Sequence, residues 1–481
     1  YKKLGIQFFE EFENIINYLD NLISNKILKF KNENLCPFEC FGYHWQRLLY
    51  TIKIKIFEIV NIIKTEKPEK IFFFDTSKIP IDVDLQFSER ESIYYYIFLK
   101  VCEYFKIKYE ILSSEKLQNF KNECNTSFEK TISFKQKFRN LKIKIRNILN
   151  FSGKNILINP MRNIRMIKYD LIKNGFKLFE INYEYITFLF NNKKLFNNNY
   201  LDIVNEIDKE KFEFLGVNYF HIIEDRLNYI LLRLDNIFAI YEYFWNFLRE
   251  KNIKLYFGDS VLVTQFFANI ILVSALKRLN IPIAVWIHGG VLEDKYVIKY
   301  SWYPFEIQYC DYYFVYGPGQ IEILKRFDKT KKIQFEAVGC RFIEKGEIIP
   351  EYTKKNDDLK ILFVIKDFIK TNDSHLNWDA PEMFSNNYYY FFVRDAIKIL
   401  KKTKKKIIIK GHHQKTKYLL NDLLDENIEF ISQEKSLQLL LNENVIAVYD
   451  FISTSIFEAI YSLKDIILHT KFNTDYETSN Y

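Results

Sequence analysis

The stretch NVIAVYDFISTSIFEAIYSLKDIILHT, residues 444–470, decides how the rest of the chain reads. Residues 445–449 are a short, almost wholly apolar run rich in β-branched side chains, which predicts a buried parallel strand ending at Asp450. Ser453, Thr454 and Ser455 interrupt it. Ile456, Phe457, Ala459, Ile460 and Leu463 then recur at helical spacing, and residues 466–468 form a second apolar run. The unit is strand, hydroxyl turn, helix, strand. In open α/β sheets ligands sit beyond the carboxyl ends of strands, and a helix N-terminus offers N–H groups to an anion. Ser453, Thr454 and Ser455 are therefore candidate phosphate contacts. Ser455 and Glu458 also have capping-box spacing, so both could serve only the helix.

Upstream, the same pattern recurs. Residues 359–366 read as a strand, 384–402 as a helix, 407–410 as a strand running into Gly411, His412 and His413, and 428–431 as another strand. Residues 415–424 and 437–442 read as helices. Polar residues 344–358, with Pro350, read as a linker. Before it, 254–257, 281–287 and 312–316 read as strands. The first runs into a turn at Gly258, Asp259 and Ser260 and then a helix over 261–279. The second ends at His288, Gly289 and Gly290, and the third at Gly317, Pro318 and Gly319, with a helix over 320–327. Earlier still, 156–159 and 176–181 read as strands around a helix over 160–174 that Gly175 stops. Residues 70–74 and 106–112 are strands around a helix over 88–105. Residues 113–150 read as a solvated connector, asparagine-rich 191–199 as an exposed loop, and 217–251 as one long helix or two. Residues 1–66 read as helical, broken at Pro37.

The expected architecture is α/β: two Rossmann-like, doubly wound domains in series with a cleft between them and a helical N-terminal extension. The limits are 1–66 for the extension, 67–345 for the first α/β domain, with a subdomain division near 150, and 358–481 for the second.

The 481 residues, 48% hydrophobic and 27% charged, suffice for two or three domains. The 46 Phe and 34 Tyr accompany abundant Lys, Asn and Ile, as AT-rich coding would give, so aromatic and lysine richness are discounted as functional signals. A formal charge of +8 with no arginine-rich arm argues against nucleic acid, while a mildly basic surface suits an anionic membrane face. No apolar run approaches the roughly 20 residues of a spanning helix; residues 266–276 come nearest, and Asn269 interrupts them. No secretory signal pattern stands at the start, although the chain begins at Tyr1. Six scattered cysteines argue for reduced thiols and a cytoplasmic setting. Cys36, Cys40 and His44 have ligand-like spacing but no fourth partner nearby, so no metal is expected there.

The runs IPIAVWIHGG (281–290), Glu306, YCDYYFVYG (309–317), IKGHH (409–413) and YDFISTSIFEAIYSLKDIIL (449–468) resemble bacterial surface-carbohydrate and capsule polysaccharide biosynthesis proteins. These are relatives of glycosyltransferases with the two-domain GT-B fold. The resemblance spans about residues 250–470. It implies a nucleotide-activated sugar on the second domain and a glycan or lipid-linked acceptor on the first, at the inner face of the membrane, with no cofactor. His288 matches the family's His-Gly pair, Lys410 and His412 its strand-end basic-x-His, and Ser453–Ser455 its phosphate-side turn. Glu458 falls where such enzymes often contact the ribose. The family's proline after the second histidine is replaced by His413. The chain also stops before the closing helices of such a fold, as a fragment would.

The chemistry assigns roles. Glycosyl transfer needs the leaving phosphate stabilised and an acceptor hydroxyl deprotonated. A helix N-terminus offers about 0.3–1 kcal/mol, so Lys410 and His412 would have to share the charge. They lie on a strand expected beside that of 445–449. His288 is the base candidate, with Asp259 as orienter or rival base and Glu293 or Asp294 as loop alternatives. The plainer readings are a capped turn histidine for His288 and a helix N-cap for Asp259. His375 and His413 read as exposed. Asp82 and Asp84 lie in the first domain, and no such pair stands at a strand end of the second, so a metal-independent reaction is expected. Competing functions are polyol-phosphate transfer, sugar-nucleotide epimerisation, and a non-catalytic sugar-nucleotide or polysaccharide-binding scaffold.

Overall fold

A computed structural model describes residues 2–74, 91–112, 154–159, 162–258, 267–287, 303, 306–328, 332–339, 359–365, 386–411, 417, 420–432, 437–441, 443–449, 456, 459 and 466–468. The described chain forms two compact units, Lys3–Val285 and Trp286–Tyr481.

The first unit opens with helices α1 (Lys2–Lys26), α2 (Leu28–Glu33) and α3 (Gly42–Glu66). Pro37 stands in the break, as the sequence predicts. Asp20 of α1 bridges it, accepting the backbone N–H groups of Phe38 (2.7 Å) and Glu39 (3.0 Å). The helices are docked on the rest of the unit. Lys26 meets Glu206 at 2.8 Å, Tyr241 donates to Glu33 at 2.7 Å, and Phe41 stacks on Phe267 with ring centres 5.2 Å apart. Lys29 pairs with Asp235, which also accepts from Asn197 and Tyr200.

Strands β1 (Lys70–Phe74) and β2 (Lys108–Leu112) pair in parallel around α4 (Glu91–Phe105). Next come β3 (Asn155–Asn159), α5 (Arg162–Lys173) and β4 (Lys177–Glu180). Gly175 ends α5 with φ +90°, a backbone conformation that glycine adopts without steric cost. Helix α6 (Tyr183–Phe190) leads into 3₁₀ turns at Lys193–Leu195 and Asn198–Glu206, so the asparagine-rich stretch 191–199 is exposed or half-exposed, as expected, but largely turned rather than irregular. The reason is local: Asn192 and Asn197 accept the N–H two residues on, closing turns that the asparagine richness alone does not reveal. The hairpin of β5 (Glu213–Phe214) and β6 (Val217–Asn218) precedes two helices, α7 (Phe220–Leu231) and α8 (Leu234–Glu250). Strand β7 (Leu255–Gly258), helix α9 (Ala268–Arg278) and strand β8 (Ile283–Trp286) follow.

After β8 come β9 (Tyr312–Val315), α10 (Pro318–Lys325) and β10 (Gln334–Ala337), a strand its mixed polarity hides from a sequence reading. The six-stranded sheet runs β10-β9-β8-β7-β3-β4, with the β3–β4, β3–β7, β7–β8 and β9–β10 ladders parallel. Numbered along its own chain this is 2-1-3-4-5-6, a doubly wound order.

The second sheet holds β11 (Lys360–Val364), β12 (Ile407–Lys410), β13 (Ile428–Ile431), β14 (Val445–Tyr449) and β15 (Ile466–Leu468), in order β13-β12-β11-β14-β15 and parallel throughout. Both faces are covered at the centre of the sheet, which is why β11, β12 and β14 read as apolar runs, whereas edge strand β13 carries the exposed Glu429. Ile361, Phe363, Ile407, Ile409 and Val448 pack with Val393 and Ile397 of α11 (Asn386–Lys401). Leu362, Ile408, Ala447 and Tyr449 pack on the other face with Leu440 and Leu441 of α12 (Leu437–Leu441) and with Ile456 and Ala459. The fold is mixed α/β, with Rossmann-like parallel sheets and a helical N-terminus. Among the described residues, no helix is long and apolar enough to cross a membrane.

Candidate functional site

The order β13-β12-β11-β14-β15 reads 3-2-1-4-5 along the chain, so the connections turn in opposite directions from β11 and β14. A sheet of this order opens its ligand crevice between those two strands, at their carboxyl ends. The last row there is Ile431, Lys410, Val364, Tyr449 and Leu468 in register. Lys410 is the one cationic side chain in that row. Its Nζ donates to the carbonyls of Ser432 and, at 3.2 Å, Gly411. The ammonium is thus fixed at the edge of the sheet by the backbone of the strand beside it.

One expectation is corrected here. The strand carrying Lys410 does not neighbour that of 445–449, because β11 lies between them. Lys410 and Tyr449 each face Val364, two strand spacings apart, about 9.6 Å. Local apolar patterning identifies buried strands without specifying their order, which the crossover before β14 sets. An anion held by Lys410 and by the chain after Tyr449 has to span that gap. His412, Ser453, Thr454, Ser455 and Glu458 lie outside the described residues, as do Asp450, His375 and His413.

In the six-stranded sheet the order switches between β3 and β7, where Asn159 stands in register with Gly258. Asn159 is 4% exposed, and its Nδ2 has no hydrogen-bond partner among the described residues. A buried amide N–H without an acceptor costs about 1–3 kcal/mol, which makes Asn159 a candidate ligand contact at the switch of this sheet. Gly258 is packed closely as well: a Cβ there would come within 2.8 Å of the Tyr256 hydroxyl. Sequence reading passed over Asn159; an asparagine closing an apolar run at a strand's carboxyl end was the available signal.

The catalytic candidates His288, Asp259 and Glu293, and Asp294 with them, lie outside the described residues, and so do Asp82 and Asp84. What leads into them is defined. Gly258, before Asp259, is in register with Val285 on the neighbouring strand. Ile287, before His288, donates its N–H to Phe314 at 2.9 Å, and its carbonyl accepts from the Tyr316 hydroxyl at 3.5 Å.

Glu306, part of the motif resemblance, is 1% exposed and accepts a 2.7 Å hydrogen bond from the Tyr313 hydroxyl. Burial, and then the carboxylate beside it, push the Tyr313 phenol well above its ordinary range. This pair ties the segment before β9 to the strand. Gly317, Pro318 and Gly319 form the N-terminus of α10, with Pro318 in its first turn. Gln320 accepts the Tyr316 N–H at 2.9 Å, which makes this stretch a helix start. Cys36 and Cys40 are both pushed up by burial and by Asp20 and Glu39, which suits inert thiols. The His44 side chain is outside those described, and among the described residues no group of three or more potential metal ligands occurs.

No protein-family model matches the chain, and no curated protein matches it. Solved structures similar to it include the UDP-GlcNAc 2-epimerase of Methanocaldococcus jannaschii in complex with UDP-GlcNAc and UDP, at 15% identity and a TM-score of 0.32, covering 49% of this chain and 65% of that one. A second structure of the M. jannaschii enzyme is similar at 14% identity and a TM-score of 0.36, over 66% of this chain and 84% of that one. The UDP-GlcNAc 2-epimerase of Neisseria meningitidis bound to UDP-GlcNAc is similar at 13% identity and a TM-score of 0.35, over 66% and 82%.

Proposed function

We propose that the chain is an enzyme acting on a nucleotide-activated sugar, with the nucleotide held at the carboxyl edge of the β11–β15 sheet. The observation that carries this reading is the 3-2-1-4-5 order of that all-parallel sheet, with the Lys410 ammonium fixed in its last row. Lys410 and His412 would meet the phosphates, the hydroxyl turn 453–455 would supply neutral donors, and Glu458 would hold the ribose. A nucleotide leaving as phosphate or diphosphate develops negative charge, and a preorganised cation is the group that stabilises it.

Two reactions fit such a site. Epimerisation uses one substrate and needs a proton removed from a sugar carbon and returned. Transfer adds a second substrate, a glycan or lipid-linked acceptor of the kind the motif resemblance implies, whose hydroxyl His288 would deprotonate, with Asp259 or Glu293 as orienter or rival base. Polyol-phosphate transfer places the same demand on the acceptor. The expected setting is the cytoplasm, at the inner face of the membrane, and the reaction is expected to need no metal. Thermal shift against CMP, CDP, UDP, GDP and TDP identifies the nucleotide, because a ligand of the native state raises apparent stability. Turnover of the matching sugar nucleotide with and without acceptor then separates the reactions: an epimeric sugar formed without acceptor means epimerisation, and a glycosylated product formed only with acceptor means transfer. Binding without turnover would leave a scaffold.

A further inference from the structure

We propose that the chain self-associates through the open edge of β2, pairing antiparallel with β2 of a second copy across a two-fold axis at Tyr109. Among the described residues β2 pairs only with β1, in a two-stranded parallel sheet. Parallel sheets are normally buried on both faces, and this one has a helix on one face alone among the described residues. Paired residues of parallel strands share a face, so Lys70, Phe72, Lys108 and Glu110 lie on one side, and Ile71, Phe73, Tyr109 and Ile111 on the other. Helix α4 covers the second side, where Phe98 stacks on Phe73 and Phe73 packs against Tyr109. Even so, Tyr109 is 38% and Ile111 40% exposed, and among the described residues no strand lies beyond the one that carries them.

The sequence of the edge says what covers it. Residues 107–111 read Ile-Lys-Tyr-Glu-Ile, which is self-complementary when reversed. With the axis at Tyr109, Lys108 faces Glu110 of the second copy twice over, on the open side. Tyr109 faces its own counterpart, and Ile107 faces Ile111, on the helix side. Opposite charges and apolar pairs directly across a ladder are the stabilising arrangement, and like charges the destabilising one. Glu110 already accepts from Lys70 on β1, so each carboxylate would sit between two ammonium groups. The helices fit as well: two α4 helices over a four-stranded β1-β2-β2-β1 sheet would lie two strand spacings apart, roughly 10 Å, an ordinary helix-packing distance. A one-residue slip would put Tyr109 and Ile111 on the wrong face, so the register is specified.

The test uses the full chain in sedimentation equilibrium, with far-UV circular dichroism to confirm that each variant is folded. Wild type is expected to dimerise with concentration. Lys108→Glu places two like pairs across the axis, and so does Glu110→Lys; each variant alone is expected to be monomeric. Mixed together they restore both opposite pairs, and the mixture is expected to form dimer, as is the double variant Lys108→Glu/Glu110→Lys. A wild type that stays monomeric at every concentration overturns the proposal. So does a dimer that either single variant leaves unchanged, or a mixture of the two folded single variants that remains monomeric.

Discussion

Lys410 and Ser432 hold the carboxyl edge of the second sheet together: the ammonium ending β12 donates to the carbonyl that follows β13. Tied to the backbone in this way, the charge is held in place, and an anion bound there in the proposed function would meet a preorganised cation.

Replacing Lys410 with Met keeps the apolar stem and removes the charge. Two effects are expected: a lower melting temperature, because the Ser432 and Gly411 carbonyls lose a donor, and nucleotide affinity weaker by about 1.5–3 kcal/mol. Calorimetric titration on the folded variant checks the second. Unchanged affinity would reduce Lys410 to a clamp between strands.

Asn159 carries the opposite expectation for stability. Since its Nδ2 has no partner among the described residues, Asn159→Leu removes an unsatisfied buried donor and should stabilise the protein by about 1 kcal/mol. If the amide serves a substrate, turnover falls in the same protein. A variant that gains stability at full turnover would place Asn159 outside the site, and urea denaturation beside a turnover assay reads both.

Asp20 sets a pH dependence. Burial, opposed by the Phe38 N–H, pushes its carboxyl up to about 8. The folded value lies above the unfolded one, near 3.9, so the stabilisation is complete below that value and is lost as pH rises through about 8. Urea midpoints between pH 5.5 and 8.5 should fall with pH in wild type. Asp20→Asn, which cannot ionise, should flatten the slope; an equal slope in both proteins would assign the effect elsewhere.

His288→Asn addresses the acceptor side. A general base contributes about 10²–10⁴, so single turnover should drop a hundredfold or more while nucleotide affinity changes little. A residue that only shapes the turn would lower the melting temperature and spare turnover, moving the role to Asp259 or Glu293.

Much of the fold is legible in the residues. Runs such as Ile407–Lys410, Ile428–Ile431, Val445–Tyr449 and Ile466–Leu468 are strands at the expected limits, and for the central Ile407–Lys410 and Val445–Tyr449 the reason is that a strand covered on both faces is apolar along its length. Strand order was less accessible: Lys410 and Tyr449 are separated by β11, a non-local pairing that no local pattern encodes. Strand β10 was hidden by Gln334 and Glu336, exposed on the sheet's edge strand. Of the candidate site residues the described structure reaches Lys410, and it adds Asn159, whose place at the end of an apolar run is visible in the sequence but whose Nδ2, without a partner among the described residues, is visible only in three dimensions.

The central claim is that the β11–β15 sheet holds a sugar nucleotide, and calorimetric titration of the wild-type chain with nucleoside diphosphates and their sugars tests it most directly. Saturable binding of at least one, with one site per chain and affinity lost in the folded Lys410→Met variant, is the predicted result. No binding of any of these nucleotides or their sugars by the folded protein would contradict it.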